Sequence, residues 1–269
     1  VLALGLAAAG PATAQPDARL ATWTCVGQCS TLPADGDITL SPLGNPVYGV
    51  VTTSGSAAHG VSPLDIVESG GHGSRFTQTN GSSWTSAEFT LGAGQAVDAW
   101  FNYVSTDGKG FDDYAWARLI GADGGTAAWL FTARSTHSSK QNVVPGGIVD
   151  RAAFDPDEVL LNYGSFDFQT RNLAIGRPID WQALGAWNGT CWRDDAEGCG
   201  FTGWLQARVT PGAGRYRLQV GVVNFGDEIY DSGLAFDIAG LAAAPVPEPG
   251  AWALFAAGLG VLLRRARPA

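Results

Sequence analysis

Three kinds of side chain have spacings that could do chemistry in this chain. Asp107, Asp112 and Asp113 share one glycine-containing turn, Asp107-Gly108-Lys109-Gly110-Phe111-Asp112-Asp113. Calcium takes about six to eight hard oxygen ligands, and carboxylates gathered on a loop supply them. Turn aspartates also accept backbone N–H bonds without any metal. The turn-aspartate reading is favoured and no cofactor is assigned; if one structural calcium exists, Asp107, Asp112 and Asp113 are its first-choice ligands, although the stretch does not fit an EF-hand loop. Asp227, Glu228 and Asp231 form a second acidic turn of the same kind.

Tryptophan is the second kind, with ten in 269 residues. Trp181, Trp187 and Trp192 fall close together among Gln182, Asn188 and Arg193. Aromatic faces stack on sugars, and the neighbouring polar groups suit hydroxyls, so these three rings are the expected glycan contacts. Trp84, Trp100 and Trp204 are further loop or polar-face candidates, whereas Trp116 and Trp129 sit in apolar strand patterns and should be core.

Cysteine is the third. The four fall as Cys25/Cys29 and Cys191/Cys199. These spacings fit zinc modules poorly, and no histidine lies beside them. Four cysteines allow three pairings; the two local bridges, Cys25–Cys29 and Cys191–Cys199, are favoured. They imply an oxidising compartment.

Catalytic patterns are missing. His59, His72 and His137 are isolated in glycine and serine surroundings, and no G-x-S-x-G or H-E-x-x-H occurs. Glu68, Glu88, Glu158, Glu197 and Glu228 are scattered, without the paired placement a glycosidase needs. No catalytic residue is assigned, and the sequence points away from an enzyme.

The elements that must position these groups read as strands. Thirty-seven glycines and 14 prolines punctuate the chain. Val47–Thr53 is continuous and β-branched, as for a strand buried on both faces. Ala96–Val104 alternates, with Val97, Ala99, Phe101 and Tyr103 on one side. Arg75–Thr79, Ala87–Leu91, Tyr114–Ile120, Ala127–Ala133, Tyr216–Phe225 and Leu234–Ile238 repeat the theme, with Trp84 in a turn. Eight or more strands with frequent turn signals predict an all-β protein, an antiparallel β-sandwich of the jelly-roll kind. From about 138 to 203 the rhythm breaks. This stretch is expected to be a long insertion with short strands of its own, or one packed over a sandwich face.

Both ends look like addresses. Val1–Ala9 is apolar, and Pro11-Ala12-Thr13-Ala14 precedes Gln15 as a cleavage site would, so residues 1–14 read as a signal peptide lacking its first residues. At the other end Val246-Pro247-Glu248-Pro249-Gly250 is followed by the apolar run Ala251–Leu263 and by Arg264-Arg265-Ala266-Arg267. Proline cannot continue a helix, so the first part is a spacer. The run predicts a hydrophobic C-terminal helix about 20 Å long, short for a bilayer core of about 30 Å. The arginines hold its end at the cytoplasmic face. Residues 15–244 remain as one domain and 245–269 as a tail. The domain carries 13 basic and 24 acidic residues, with Lys109 and Lys140 as the two lysines. That balance disfavours nucleic acid as a partner.

The tail, through Val246, Pro247, Glu248, Pro249, Arg264 and Arg265, resembles the PEP-CTERM sorting signal. That resemblance implies export, transient insertion in the inner membrane through the tail, and processing by an exosortase-type enzyme in bacteria that make exopolysaccharide. Gly221–Asp237 and Cys191…Cys199-Gly200-Phe201-Thr202-Gly203-Trp204 resemble a group of exported PEP-CTERM β-sandwich proteins without an established activity. The likeness runs from about Asp35 to Asp237 and departs from the group at Arg193-Asp194-Asp195. It implies a cell-surface or exopolysaccharide-matrix protein with a structural or interaction role. A lectin-like carbohydrate-binding module is the alternative, and a matrix-acting hydrolase the third.

Overall fold

The computed structural model describes residues 19–64, 68–69, 75–107, 113–134, 159–162, 178–192 and 199–239. The expected leader, the sorting tail with its helix, Asp112 and much of the 138–203 stretch lie outside them. Two antiparallel sheets face each other.

The first sheet runs β1 (Thr24–Val26), β6 (Gln78–Thr85), β14 (Gly214–Phe225), β9 (Tyr114–Gly121), β10 (Thr126–Arg134), with β7 (Phe89–Leu91) also on β14. The second runs β11 (Val159–Asn162), β13 (Leu205–Val209), β8 (Val97–Ser105), β15 (Ser232–Ala239), β3 (Tyr48–Thr52), β2 (Gln28–Leu32), with β12 (Gly200–Phe201) also on β8. A two-stranded ribbon joins β4 (Glu68–Ser69) to β5 (Arg75–Phe76). These facing, all-antiparallel sheets are the predicted β-sandwich.

Alternation fills the space between the sheets. Val97, Ala99, Phe101 and Tyr103 of β8 point inward as their period of two requires, and meet Leu119, Leu130 and Leu218 from the facing sheet. Trp84 departs from expectation: it lies in β6, opposite Cys25 and Val220, and is buried in this core. The polar sequence of β6, Gln-Thr-Asn-Gly-Ser-Ser-Trp-Thr, hides a strand because its hydroxyls are satisfied locally. Ser82 Oγ donates to Thr52 O at 2.6 Å and accepts from Gln28 N at 2.7 Å.

The second sheet is buried on both faces, and β3 is buried at every residue. Its outer face carries Tyr48, Val50, Val104 and Ala235, covered by Ile38 and by Ile179, Trp181 and Leu184. The late part of the 138–203 stretch thus packs over one face with a core of its own, while β11 extends the sheet edge against β13. On the outside of the first sheet, Tyr114, Trp116, Val223 and Phe225 gather with Val61, Leu64 and a half-buried Trp129.

The chain changes sheets at Gly27, whose φ of 82° is left-handed. β1 belongs to one sheet and β2 to the other. The Cys25–Cys29 disulfide spans this crossing, so the expected bridge joins the edges of the two sheets. The second expected bridge, Cys191–Cys199, is also present.

Candidate functional site

The strand directions bring the chemistry-bearing residues to one end of the sandwich. β15 begins at Ser232, opposite Ser105, and ends at Ala239, opposite Asp98. Asp107 follows the end of β8, Asp113 precedes β9, and the Gly226–Asp231 turn joins β14 to β15. All three therefore cap the end from which β15 starts.

Three aspartates are buried there: Asp107 and Asp113 at 1% exposure and Asp231 at 6%. Asp113 Oδ1 accepts from Phe225 N at 2.8 Å, and Ser232 Oγ donates to Asp113 Oδ2 at 2.8 Å. Ser232 Oγ also lies 3.0 Å from Ser105 Oγ, and Tyr103 Oη donates to the Asp113 carbonyl at 2.9 Å. Burial pushes the Asp113 carboxyl well above the ordinary carboxylate range. The Ser232 and Phe225 bonds pull it back in part, and nearby Asp227 and Asp231 add to the rise. Burial raises Asp231 as well, against the lowering effect of Ser54 and Thr53. Thr53 Oγ1 donates to Asp231 Oδ1 at 2.9 Å, and Thr106 Oγ1 donates to the Asp231 carbonyl at 2.9 Å. Asn224 continues the inward series of Leu218, Val220 and Val222, and its side-chain amide has no hydrogen-bond partner.

These groups tie the ends of β3, β8, β9, β14 and β15 together. Ser105 and Ser232 are fully buried, so neither presents a nucleophile to a substrate. Among the described residues no three histidine, cysteine, aspartate or glutamate side chains converge on a metal position. Of the expected calcium ligands, Asp107 and Asp113 are inside this buried layer, and Asp112 lies outside the described residues.

The tryptophans separate. Trp181 is fully buried, and its Nε1 donates to Tyr48 Oη at 3.0 Å. It covers the outer face of the second sheet, so the expectation of a glycan contact at Trp181 is corrected: a ring with no exposed surface offers none to a sugar. Trp192 is half-buried, and its backbone N–H donates to Thr106 O at 3.1 Å.

Trp187 is half-buried and stacks on Tyr230, with ring centroids 4.2 Å apart and planes at 30°. Two local devices make this pair. The 3-10 segment Gln182–Trp187 kinks at Gly185, whose φ of 54° and contact with Ser54 leave no room for a side chain. The segment is held by Thr52 Oγ1 donating to Ala183 O at 2.7 Å and by Trp181 N donating to Asn188 Oδ1 at 2.7 Å. On the other side, Tyr230 has a φ of 61°, the one left-handed non-glycine among the described residues. Such backbone costs about 1–3 kcal/mol and persists where surroundings enforce it. Ile229 N donates to Asp227 Oδ1 at 2.9 Å, and Ile229 is 49% exposed. Glu228 lies 3.9 Å from the exposed ring of His59. Tyr230 was not singled out in the sequence. Its turn was legible from Gly226-Asp227, but nothing local announces that its ring meets Trp187.

No family model matches this chain, and no curated protein matches it. Among solved structures, it is similar to the K3 cleaved adhesin domain of Lys-gingipain (Kgp) from Porphyromonas gingivalis w83. The two share 11% sequence identity over 82% of this chain and 92% of that one, with a TM-score of 0.28. Likeness of that degree leaves fold and function to this chain's own residues.

Proposed function

We propose that the chain is an exported β-sandwich, sorted by an exosortase-type enzyme to the cell surface or the exopolysaccharide matrix, with a structural or interaction role there. The order of spacer, apolar run and arginines from Val246 to Arg267 carries this reading. Two disulfides support it, because such bonds persist in oxidising compartments. The sandwich reads as a jelly roll: strands β3, β15, β8 and β13 face β6, β14, β9 and β10, and the chain crosses between the sheets from β6 to β8, β8 to β9, β13 to β14 and β14 to β15, with β9 and β10 pairing in one sheet.

Fractionation of the producing organism, with the mass of the exported form measured, tests the proposal. Loss of both ends, near Ala14 and near Pro247–Gly250, is expected. A mature product that retains its tail overturns the processing step, and four free thiols overturn the compartment. A structural calcium among Asp107, Asp112 and Asp113 belongs to the same proposal, on the clustering of these carboxylates in one turn. Melting with EDTA and with added calcium decides: a midpoint that climbs with calcium supports the site, and an unmoved midpoint removes it.

A further inference from the structure

We infer that the end of the sandwich carrying Trp187 and Tyr230 is a binding surface for an uncharged polysaccharide, at the pole opposite the one where β15 finishes at Ala239. The inference rests on the surface-or-matrix reading above and adds the site and the ligand class.

The placement follows from strand direction. Arg19 Nη1 donates to Asp237 Oδ1 at 2.7 Å, and Trp23 stacks on Phe236 at 5.5 Å. Both chain ends of the sandwich therefore leave near the finish of β15 at Ala239. The Gly226–Asp231 turn lies at the start of β15, about 25 Å away at ~3.3 Å per residue. A body held through residue 240 presents Trp187 and Tyr230 outward.

The chemistry follows from the pair itself. Each residue is half-buried, so some of its surface reaches solvent, and each ring is backed by the other. A backed ring loses little freedom when a sugar face settles on it, so contact area converts efficiently into affinity. The left-handed Tyr230 shows that the surroundings hold this ring against a backbone cost. Flanking groups choose the ligand. Glu228, 55% exposed at its side chain, and Asp227 stand on the same turn, and the whole chain carries a net charge of −9. A polyuronate would be repelled, whereas the hydroxyls of a neutral polymer donate to these carboxylates.

Affinity electrophoresis of the exported protein tests the site, with hydroxyethyl cellulose, dextran or galactomannan in the gel and alginate as the polyanionic comparison. At least one neutral polymer is expected to retard the protein, and alginate is not. Trp187→Ala and Tyr230→Gly should each weaken retardation roughly tenfold or more, the scale of losing a central aromatic contact. Tyr230→Gly keeps the test decisive if Trp187→Ala misfolds, because glycine prefers the left-handed backbone at that position. Tyr216→Ala, at the opposite end, should bind as the parent does. Absence of retardation by every neutral polymer, retardation by alginate alone, or full retention by Tyr230→Gly overturns the inference. Sorting is read separately from the mass of the exported form, so the two proposals fail independently.

Discussion

The indole of Trp116 lies across Gly221, its direct partner on the neighbouring strand, so closely that a Cβ on Gly221 would enter the ring. The same relation joins Phe236 to Gly49, a second cross-strand pair. On the outer face of the second sheet the Trp181 ring sits over Gly233, where a Cβ would come within 2.5 Å of Cζ3. These three glycines are therefore floor space for large rings.

Gly221→Ala and Gly233→Ala should each destabilise the fold by about 1–3 kcal/mol, the usual cost of forcing a methyl group into a packed contact. Urea unfolding followed by tryptophan fluorescence measures this. A substitution of Gly44, whose Cβ would meet nothing within 4 Å, lacks that packing cost, although its φ of 73° still disfavours a side chain. Equal losses at Gly44 and Gly221 would show that backbone strain, not ring contact, sets the penalty.

Stability should decline as pH rises from acid toward neutrality. Asp113 and Asp231 both have carboxyls raised by burial, so the folded form holds protons that the unfolded chain has released. Their contribution is full below about pH 3.9, the ordinary aspartate value, and is lost as pH climbs through the raised folded values. Asp113→Asn keeps an acceptor for Phe225 N and a partner for Ser232 Oγ without the charge. In EDTA, with no cation to neutralise Asp113, it should flatten the decline and raise the midpoint at pH 8 above that of the parent. Thermal melts from pH 4 to 8 check both statements.

Reduction should act unequally. Cys191–Cys199 closes a short loop, and its loss should cost on the order of 2–3 kcal/mol. Cys25–Cys29 closes a smaller ring, so chain entropy contributes less there, yet it joins the edges of two sheets. Cys25→Ser/Cys29→Ser should therefore expose β1 and β2 to hydrogen exchange before the rest of the sandwich opens.

Asp237 gathers the N-terminal segment. Besides Arg19, Asn45 Nδ2 donates to its carboxylate at 3.0 Å and Ser41 Oγ donates to Oδ2. Asp237→Ala leaves several donors without an acceptor and should cost about 1–3 kcal/mol. Limited proteolysis near residues 19–23 should accelerate in the variant, with cleavage elsewhere unchanged.

The sandwich class was legible because period-two alternation and punctuation survive in single strands: Tyr114–Ile120 and Ala96–Val104 match β9 and β8 to within a residue. β6 was not legible. Its burial depends on hydroxyls that find partners in β3 and the Gly27 crossing, and on Gly81 fitting under Val223. β13, a five-residue strand, gained its place from pairing with β8 and not from its own pattern. Both disulfides were legible from count and spacing. The candidate site was legible in half: Trp187 by composition, Tyr230 not at all, because their stacking joins residues 43 positions apart through a kink at Gly185 and a left-handed turn. Trp181 misled for the same reason. A ring in a polar stretch looks exposed until the sheet beneath it supplies Gly233 as a seat.

The position of β15 has a mechanical consequence. It lies in the middle of its sheet, laddered to β8 along its whole length and to β3 over Gly233–Phe236. A pull through residue 240 that is resisted at the far pole runs along the strand axis, so both ladders are loaded in shear and their hydrogen bonds must yield together. Peeling one bond at a time, the easy route for a terminal strand at a sheet edge, is not open to it.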